Sequence, residues 1–445
     1  MYGFDDCIRN ISKSDLSVIR NVMWEKIRKI WKIKSLRKSV LFVLGMLVVF
    51  RMAAHIPIPG VNTEALHEFL AGNQILGLLN VFSGGTMENF SIVMLGIAPY
   101  ITASIIFQLL AMVVPSLEEL QKEGESGQQK INMYTRLTTV PLAFLQSFAM
   151  IKLLTQSQNQ IVPDLNTYKL IVMMLTITAG TVFLMWIGEL ITEKNIGNGI
   201  SLLIFAGIVS ALPGVVQRAV LNYSPSDLYT YVFFIAIAVA TVVGVVIISE
   251  GQRNIPVSYA KQIRGNKMYG GSNTHLPLRV NMAGVIPIIF AISVILFPPM
   301  IAQFFVNKAG WIANFSQGVV SLFNNQLFYG ILYFTLVFGF TYFYTAVIFH
   351  PQKIAENLQR QGGFIPGIRP GKQTEEYLGK TMGRLIFIGA LFLAIIAILP
   401  LLLKAFTGTQ SLVIGGTSLL IVVSVAIETA KQIDAQIEVH EYDHM

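Results

Sequence analysis

Charge is scarce in this chain. Asp, Glu, Lys and Arg make up only 13% of its 445 residues, hydrophobic residues make up 53%, and the mean hydropathy is +0.61. A soluble domain carries about 25% charged residues, so a surface that faces mostly water is excluded. Cysteine is nearly missing: Cys7 stands alone, which excludes an internal disulfide. No GxxxxGK[ST] string occurs, so the chain has no phosphate loop of that type with which to draw on a nucleotide. Ionisable residues are also few at the middle of its apolar runs, where ion-coupled carriers place them. Glu189, Glu250 and Glu428 stand near the ends of such runs. No small-residue cleavage site follows the first run, so that run is expected to remain as a membrane span rather than be removed as a signal peptide.

What the chain does contain is long apolar runs. A bilayer's hydrocarbon core is about 30 Å thick, and a helix needs about 20 apolar residues to cross it. Ten runs qualify, near 39–57, 90–114, 137–155, 168–191, 199–219, 228–249, 281–305, 326–349, 384–403 and 409–428. Backbone polar groups in lipid must bond within their own segment, so the runs are expected to be helices. They lack the alternation of barrel strands. The fold class that follows is an all-α integral membrane protein with ten transmembrane helices.

The cations give the orientation. Of 32 Lys and Arg residues, 26 fall on one side of this arrangement. They cluster before the first run (Arg9 to Lys38), between the sixth and seventh (Arg253, Lys261, Arg264, Lys267, Arg279), and between the eighth and ninth (Lys353, Arg360, Arg369, Lys372, Lys380, Arg384). By the positive-inside rule that side is cytoplasmic. An even number of spans then puts both termini there. The net charge of +8 is accounted for by topology, without a nucleic-acid role. Arg51, Lys152, Lys169, Arg218, Lys308 and Lys404 remain for the other side or for helix ends, where long side chains snorkel.

Some stretches are irregular. Gln74 to Phe82 is apolar but too short to cross, and it ends in Ser83-Gly84-Gly85. It reads either as an exported amphipathic loop or as a re-entrant half-helix, which protein or a water-filled cavity would have to surround. Pro99 falls inside the second run and Pro287 inside the seventh, where proline is expected to kink a helix. If ten spans form two five-span halves, the second and seventh correspond, and matched interruptions point to a site between repeats. No residue-level repeat stands out. A small-solute transporter built from inverted repeats is the alternative this pattern admits.

Several strings then carry a resemblance. They are Ile56-Pro57-Ile58-Pro59-Gly60, Phe82-Ser83-Gly84-Gly85, Leu95-Gly96-Ile97-Ala98-Pro99-Tyr100-Ile101 and Lys122-Glu123-Gly124-Glu125-Ser126-Gly127. Further along come Ile196-Gly197-Asn198-Gly199-Ile200-Ser201, Thr274-His275-Leu276-Pro277-Leu278, Asn281-Met282-Ala283-Gly284-Val285-Ile286-Pro287, Pro366-Gly367-Ile368-Arg369-Pro370-Gly371 and Gly415-Gly416-Thr417-Ser418-Leu419-Leu420-Ile421. In this order and on these runs, the chain resembles the SecY family of bacterial protein-conducting channels from roughly residue 35 to residue 430.

The resemblance implies two pseudo-symmetric five-helix halves around an hourglass pore, residues 39–220 and 221–430. An N-terminal arm (1–38) and a C-terminal tail (431–445) would flank them. It implies a re-entrant plug at about 74–91, including Leu79, Phe82, Ser83, Gly84 and Gly85. It also implies a waist of Ile97, Ile101, Ile200, Ile204, Ile289 and Ile421. Ile97 with Ile101, and Ile200 with Ile204, are spaced to share a helix face, which suits a pore lining and ordinary packing alike. A lateral gate would run along the second and seventh spans, with Pro99, Ile105, Gln108, Asn281 and Pro287 on its helices. Loops 251–280 and 350–383 would dock partners through Arg253, Lys261, Arg264, Lys267, Arg369 and Lys372, with arginine meeting carboxylate or ribosomal RNA phosphate. The partners implied are small membrane subunits like SecE and SecG, the SecA motor, the ribosome with its nascent chain, signal peptides, preproteins and membrane lipid. The expected function is passage of unfolded polypeptide across the bacterial cytoplasmic membrane and lateral release of membrane segments, with no enzymatic activity, cofactor or metal.

One motif runs against this. His440-Glu441-Tyr442-Asp443-His444 satisfies the HExxH pattern of zinc proteases. It stands in an acidic tail with nothing after it to supply a third ligand, so no catalytic zinc is expected there.

Overall fold

A computed structural model describes residues 28–63, 65–66, 80, 83–155, 161–162, 166–221, 228–259, 262–264, 267–269, 273–303, 305–306, 310–407 and 416–442. Each of the ten apolar runs has its helix. These are α1 (Lys34–Ala54), α2 (Ala98–Val113), α4 (Glu125–Thr155), α5 (Thr167–Thr192), α6 (Gly199–Leu221), α7 (Leu228–Glu250), α8 (Ile286–Gln303), α10 (Gln326–Ile348), α12 (Lys372–Thr407) and α13 (Gly416–Tyr442). Among the described residues five helices are individually long and apolar enough to cross a bilayer, and α2 with the short α3 (Pro115–Lys122), bent by 101° at the break, makes a sixth if the pair is one span. The apolar pattern locates the helices better than their ends. Helices α4, α12 and α13 continue past their apolar parts into the side that carries the basic loops.

Three kinds of element do not show in an apolar scan. Helices α3 and α11 (Pro351–Arg360) are short and polar. Helix α9 (Trp311–Asn324) is amphipathic and joins α8 to α10. The loop between α7 and α8 is a long hairpin: β1 (Gln252–Tyr259) pairs antiparallel with β4 (Asn273–Arg279), and between them β2 (Gln262–Arg264) pairs with β3 (Lys267–Tyr269). A third strand, β5 (Gly363–Phe364), comes from the loop between α11 and α12 and pairs with the end of β1. The sheet order β4-β1-β5 thus joins the two basic loops. Its inward side chains Ile255, Val257 and Leu278 pack with Phe349, Ile365 and Leu378 in one apolar cluster. The alternation of strand side chains explains why only every second residue of β1 is buried there.

The largest apolar cluster runs between the two halves of the chain, from Val43 on α1 to Val425 on α13. A second cluster lies within the first half and gathers Ile58, Met87, Phe90 and Met94 against α4 and α5.

Candidate functional site

The six isoleucines singled out from sequence all belong to the large central cluster. Ile97, Ile204 and Ile421 are buried in it, and Ile101, Ile200 and Ile289 are partly buried against it. They come from α2 and the residue just before it, Ile97, and from α6, α8 and α13, so the cluster draws on both halves of the chain.

Local chemistry sets each of these helices. Helix α6 begins where the Asn198 side chain accepts hydrogen bonds from the backbone N–H groups of Ile200 at 3.1 Å and Ser201 at 3.2 Å. That is an N-cap, which satisfies donors the first turn leaves free. Gly199 follows because α5 crosses there: a Cβ at 199 would lie 1.8 Å from the Gly188 carbonyl oxygen. Ile200, Ile204 and Gly207 then lie on one face of α6.

Pro99 and Pro287 do not kink their helices, contrary to the sequence expectation. Pro99 stands in the first turn of α2. Pro287 is the second residue of α8. In the first turn, proline's missing N–H has no intrahelical partner to lose. The bend of the second span falls instead at Val114, between α2 and α3. The structure also exposes a local repeat. In Gly96-Ile97-Ala98-Pro99 and in Gly284-Val285-Ile286-Pro287, the glycine has a positive φ (57° and 61°) and the proline opens the helix. Only the glycine and the proline match, and the shared constraint is backbone conformation, which explains why reading residue types alone did not find it.

Of the stretch expected to be an exported loop or a re-entrant half-helix, residues 74–79, 81 and 82 lie outside the described residues; the part that is described, 80 and 83–91, is mostly buried. Ser83, Thr86 and Ser91 are shielded from solvent, as is Asn80. Pro57 bridges Ser91, with Ile58 N–H donating to the Phe90 carbonyl at 2.9 Å and Ile92 N–H to that of Ile56 at 3.0 Å. The Thr86 hydroxyl donates toward the carbonyls of Ser83 and Met94. Gly84, at φ +79°, lies against Gly207 of α6 so closely that a Cβ on it would be 2.6 Å from the Gly207 Cα. The Arg51 guanidinium donates to the Gly84 carbonyl at 2.9 Å. Arg51, expected on the other side or at a helix end, stands in the last turn of α1, and its reach to the Gly84 carbonyl is a role that its position near the end of an apolar run did not reveal. Leu79 and Phe82 lie outside the described residues.

Helices α2 and α8 pack directly against each other. Ile105 and Pro99 are buried on α2, and Pro287 is buried on α8. The Gln108 amide donates to Ser104 Oγ at 3.3 Å, and that of Asn281, just before α8, to the Gly284 carbonyl at 3.3 Å.

On the basic side, Arg253 is exposed on β1 opposite Leu278. Arg264 and Lys267 are register partners in the β2–β3 hairpin. Lys261 lies outside the described residues. Arg369 is exposed on a tight turn in which Ile368 N–H bonds the Ile365 carbonyl, and its own carbonyl accepts from Thr374 Oγ1 at 2.9 Å. Lys372 is exposed at the start of α12. The carboxylates near span ends find cations: Glu189 pairs with Arg136, and Glu250 with Lys431 at 2.8 Å. Glu428 is exposed on α13. In the HExxH string, His440 Nε2 contacts Ser35 Oγ at 3.1 Å and Glu441 pairs with Lys29 at 2.7 Å, while His444 lies outside the described residues. Among the described residues no cluster of three or more His, Cys, Asp or Glu could hold a metal ion.

The family model named SecY matches residues 91–430. The chain is 44% identical to the protein translocase subunit SecY of Halalkalibacterium halodurans, covering 94% of this chain and 99% of that one. It is 45% identical to the SecY subunit of Corynebacterium glutamicum, over 93% and 98% of the two chains. Among solved structures it superposes on a protein-conducting channel with a TM-score of 0.62 at 17% identity, over 90% of this chain and 92% of that one. It also superposes on Sec61 from a canine ribosome-channel complex of the endoplasmic reticulum, with a TM-score of 0.57 at 17% identity and the same coverage. Near-complete alignment at this identity, together with the shared fold, settles the matter: the chain belongs to the SecY family.

Proposed function

We propose that the isoleucine cluster of α2, α6, α8 and α13 is the closed waist of a channel for unfolded polypeptide, and that the Ser83–Ser91 segment is its seal. As a SecY-family member the chain is a membrane-embedded channel subunit of a protein translocase and not an enzyme. The observation that carries the finer reading is that all six isoleucines join one cluster spanning both halves, with the Gly84 segment seated on the same face of α6 that presents Ile200 and Ile204.

The physics suits the task. An aliphatic constriction stops ions because an ion entering it loses hydration and gains no ligand. Fixed charge at the waist would instead bind some substrate side chains and reject others. Flexible isoleucine side chains close around a moving peptide of any composition. The α2–α8 seam serves as the lateral gate: once it parts, an apolar segment of about 20 residues leaves for lipid as a helix. Polar Gln108 and Asn281 lie on this seam.

Energy comes from partners. The ribosome with its nascent chain, or a SecA-type motor, docks on the surface formed by the β1–β4 hairpin and the Arg369 turn, using Arg253, Lys261, Arg264, Lys267, Arg369 and Lys372. SecE-like and SecG-like subunits complete the channel in the membrane. The basic side is the cytoplasmic face of a bacterial cytoplasmic membrane, with both termini on it.

The test is to replace Ile97, Ile101, Ile200 and Ile204 together with serine and measure ion leakage across proteoliposomes. Increased leakage with retained polypeptide transport is expected. Unchanged leakage together with saturable uptake of one small solute would favour a transporter.

A further inference from the structure

Helix α9 stands outside the machinery described so far. Asn325 ends it and also caps α10, its side chain accepting from the N–H groups of Leu327 at 3.0 Å and Phe328 at 3.4 Å. Phe323 and Phe328 meet edge-on across this joint, with ring centroids 5.6 Å apart. Helix α10 is lipid-facing from its first turns: Leu327 is 77% exposed and Ile331 65%. A single residue therefore separates α9 from the depth at which α10 enters hydrocarbon.

Helix α9 has three faces. Ala313 and Ser316 are buried, with Val320 and Phe323 partly buried beside them, and this face packs on α8 and α10. Asn314, Gln317 and Ser321 form an exposed polar face. Between the two lies an exposed apolar face: Trp311, 77% exposed, Phe315, 67% exposed, Ile312 and Leu322. No residue from 311 to 324 is charged. A helix with one face on protein, one apolar and one polar is matched to a boundary between hydrocarbon and water. Tryptophan is the residue most at home at that boundary.

We propose that α9 is an interfacial helix whose Trp311, Ile312, Phe315 and Leu322 face lies in the headgroup–acyl boundary of the leaflet opposite the basic loops, anchoring the gate helix α8 to that leaflet. The occupant is phospholipid, because the face continues the lipid-exposed surface of α10 through Asn325. The inference rests on the membrane-spanning fold and not on the pore assignment, so failure of one leaves the other standing.

With Trp24, Trp31 and Trp186 changed to phenylalanine, Trp311 is the sole tryptophan of the original four. In proteoliposomes its emission should be lost most strongly to lipids brominated near the top of the acyl chain, and less to lipids brominated near the chain end. Loss to aqueous acrylamide without loss to either brominated lipid overturns the proposal, as does insensitivity to all three quenchers. A second measurement avoids the triple variant. In a Cys7→Ser background, spin labels at Phe315→Cys and Gln317→Cys should differ, oxygen reaching the first more readily and a water-soluble nickel complex the second. The same preference at both positions overturns the proposal.

Discussion

Gly84 and Gly207 meet backbone to backbone: a Cβ built on either would lie 2.6 Å from the Cα of the other. The contact joins the buried segment after α1 to the face of α6 that carries Ile200 and Ile204. Gly84 also has a left-handed φ of 79°, so a side chain there would be strained as well as crowded. Gly207 is helical, and its constraint is space alone.

Gly207→Val is therefore the cleaner probe of the proposed seal. Forcing extra volume into a packed site costs about 1–3 kcal/mol. The segment must lift or α6 must shift, and either favours the unsealed state. Ion conductance of the resting channel in planar bilayers should rise about fivefold or more if this cost falls on the seal. Unchanged conductance would mean that the Gly84 segment does not seal the pore.

Arg51→Met keeps most of the side chain's length and removes the 2.9 Å bond to the Gly84 carbonyl. Hydrogen bonds to charged groups contribute about 1.5–3 kcal/mol. Resting conductance should rise here too. Because Arg51 and Gly207 hold the same segment, combining the two substitutions should give less than the sum of their separate free-energy effects. Full additivity would show that they act on different structures.

Arg369→Glu should reduce preprotein export in membrane vesicles while the protein accumulates and unfolds as before, because the side chain is exposed. Thr374→Val is the companion. It removes the hydroxyl that holds the Arg369 carbonyl, at a cost of about 1 kcal/mol, and leaves the charge in place. A smaller loss of export is expected from it. Normal export by Arg369→Glu would make that charge dispensable.

At the start of α6, two neighbouring substitutions should differ sharply in thermal unfolding. Asn198→Ala loses an N-cap, a cost of about 1 kcal/mol. Gly199→Ala places a methyl group 1.8 Å from the Gly188 carbonyl oxygen, so α5 and α6 must separate. The first should lower the unfolding temperature modestly; the second should abolish accumulation of folded protein. Equal effects would show that α5 and α6 can separate at little cost.

Legibility differed by element. The apolar runs located the ten long helices found among the described residues because the bilayer imposes length and composition on each segment by itself. The β1–β4 hairpin was read only as a basic loop. Its alternation covers few residues, contains Pro256 and Pro277, and becomes a sheet through pairing between positions such as Arg253 and Leu278. Helix α9 was missed because its length and polar face fall below any spanning criterion. The partner of Arg51 was not legible because position along a run fixes depth, not the direction a side chain takes.

The sequence by itself determined which segments lie in the membrane, which side carries the basic loops and where α6 begins. Hydration, charge bias and capping side chains act over a few residues, so each can be read in place. Only the tertiary structure decided that Gly84 touches Gly207, that Arg51 reaches the Gly84 carbonyl and that β5 joins the sheet of the other loop. Those contacts depend on where distant backbones come to rest when whole helices pack, and no local run of residues encodes that distance.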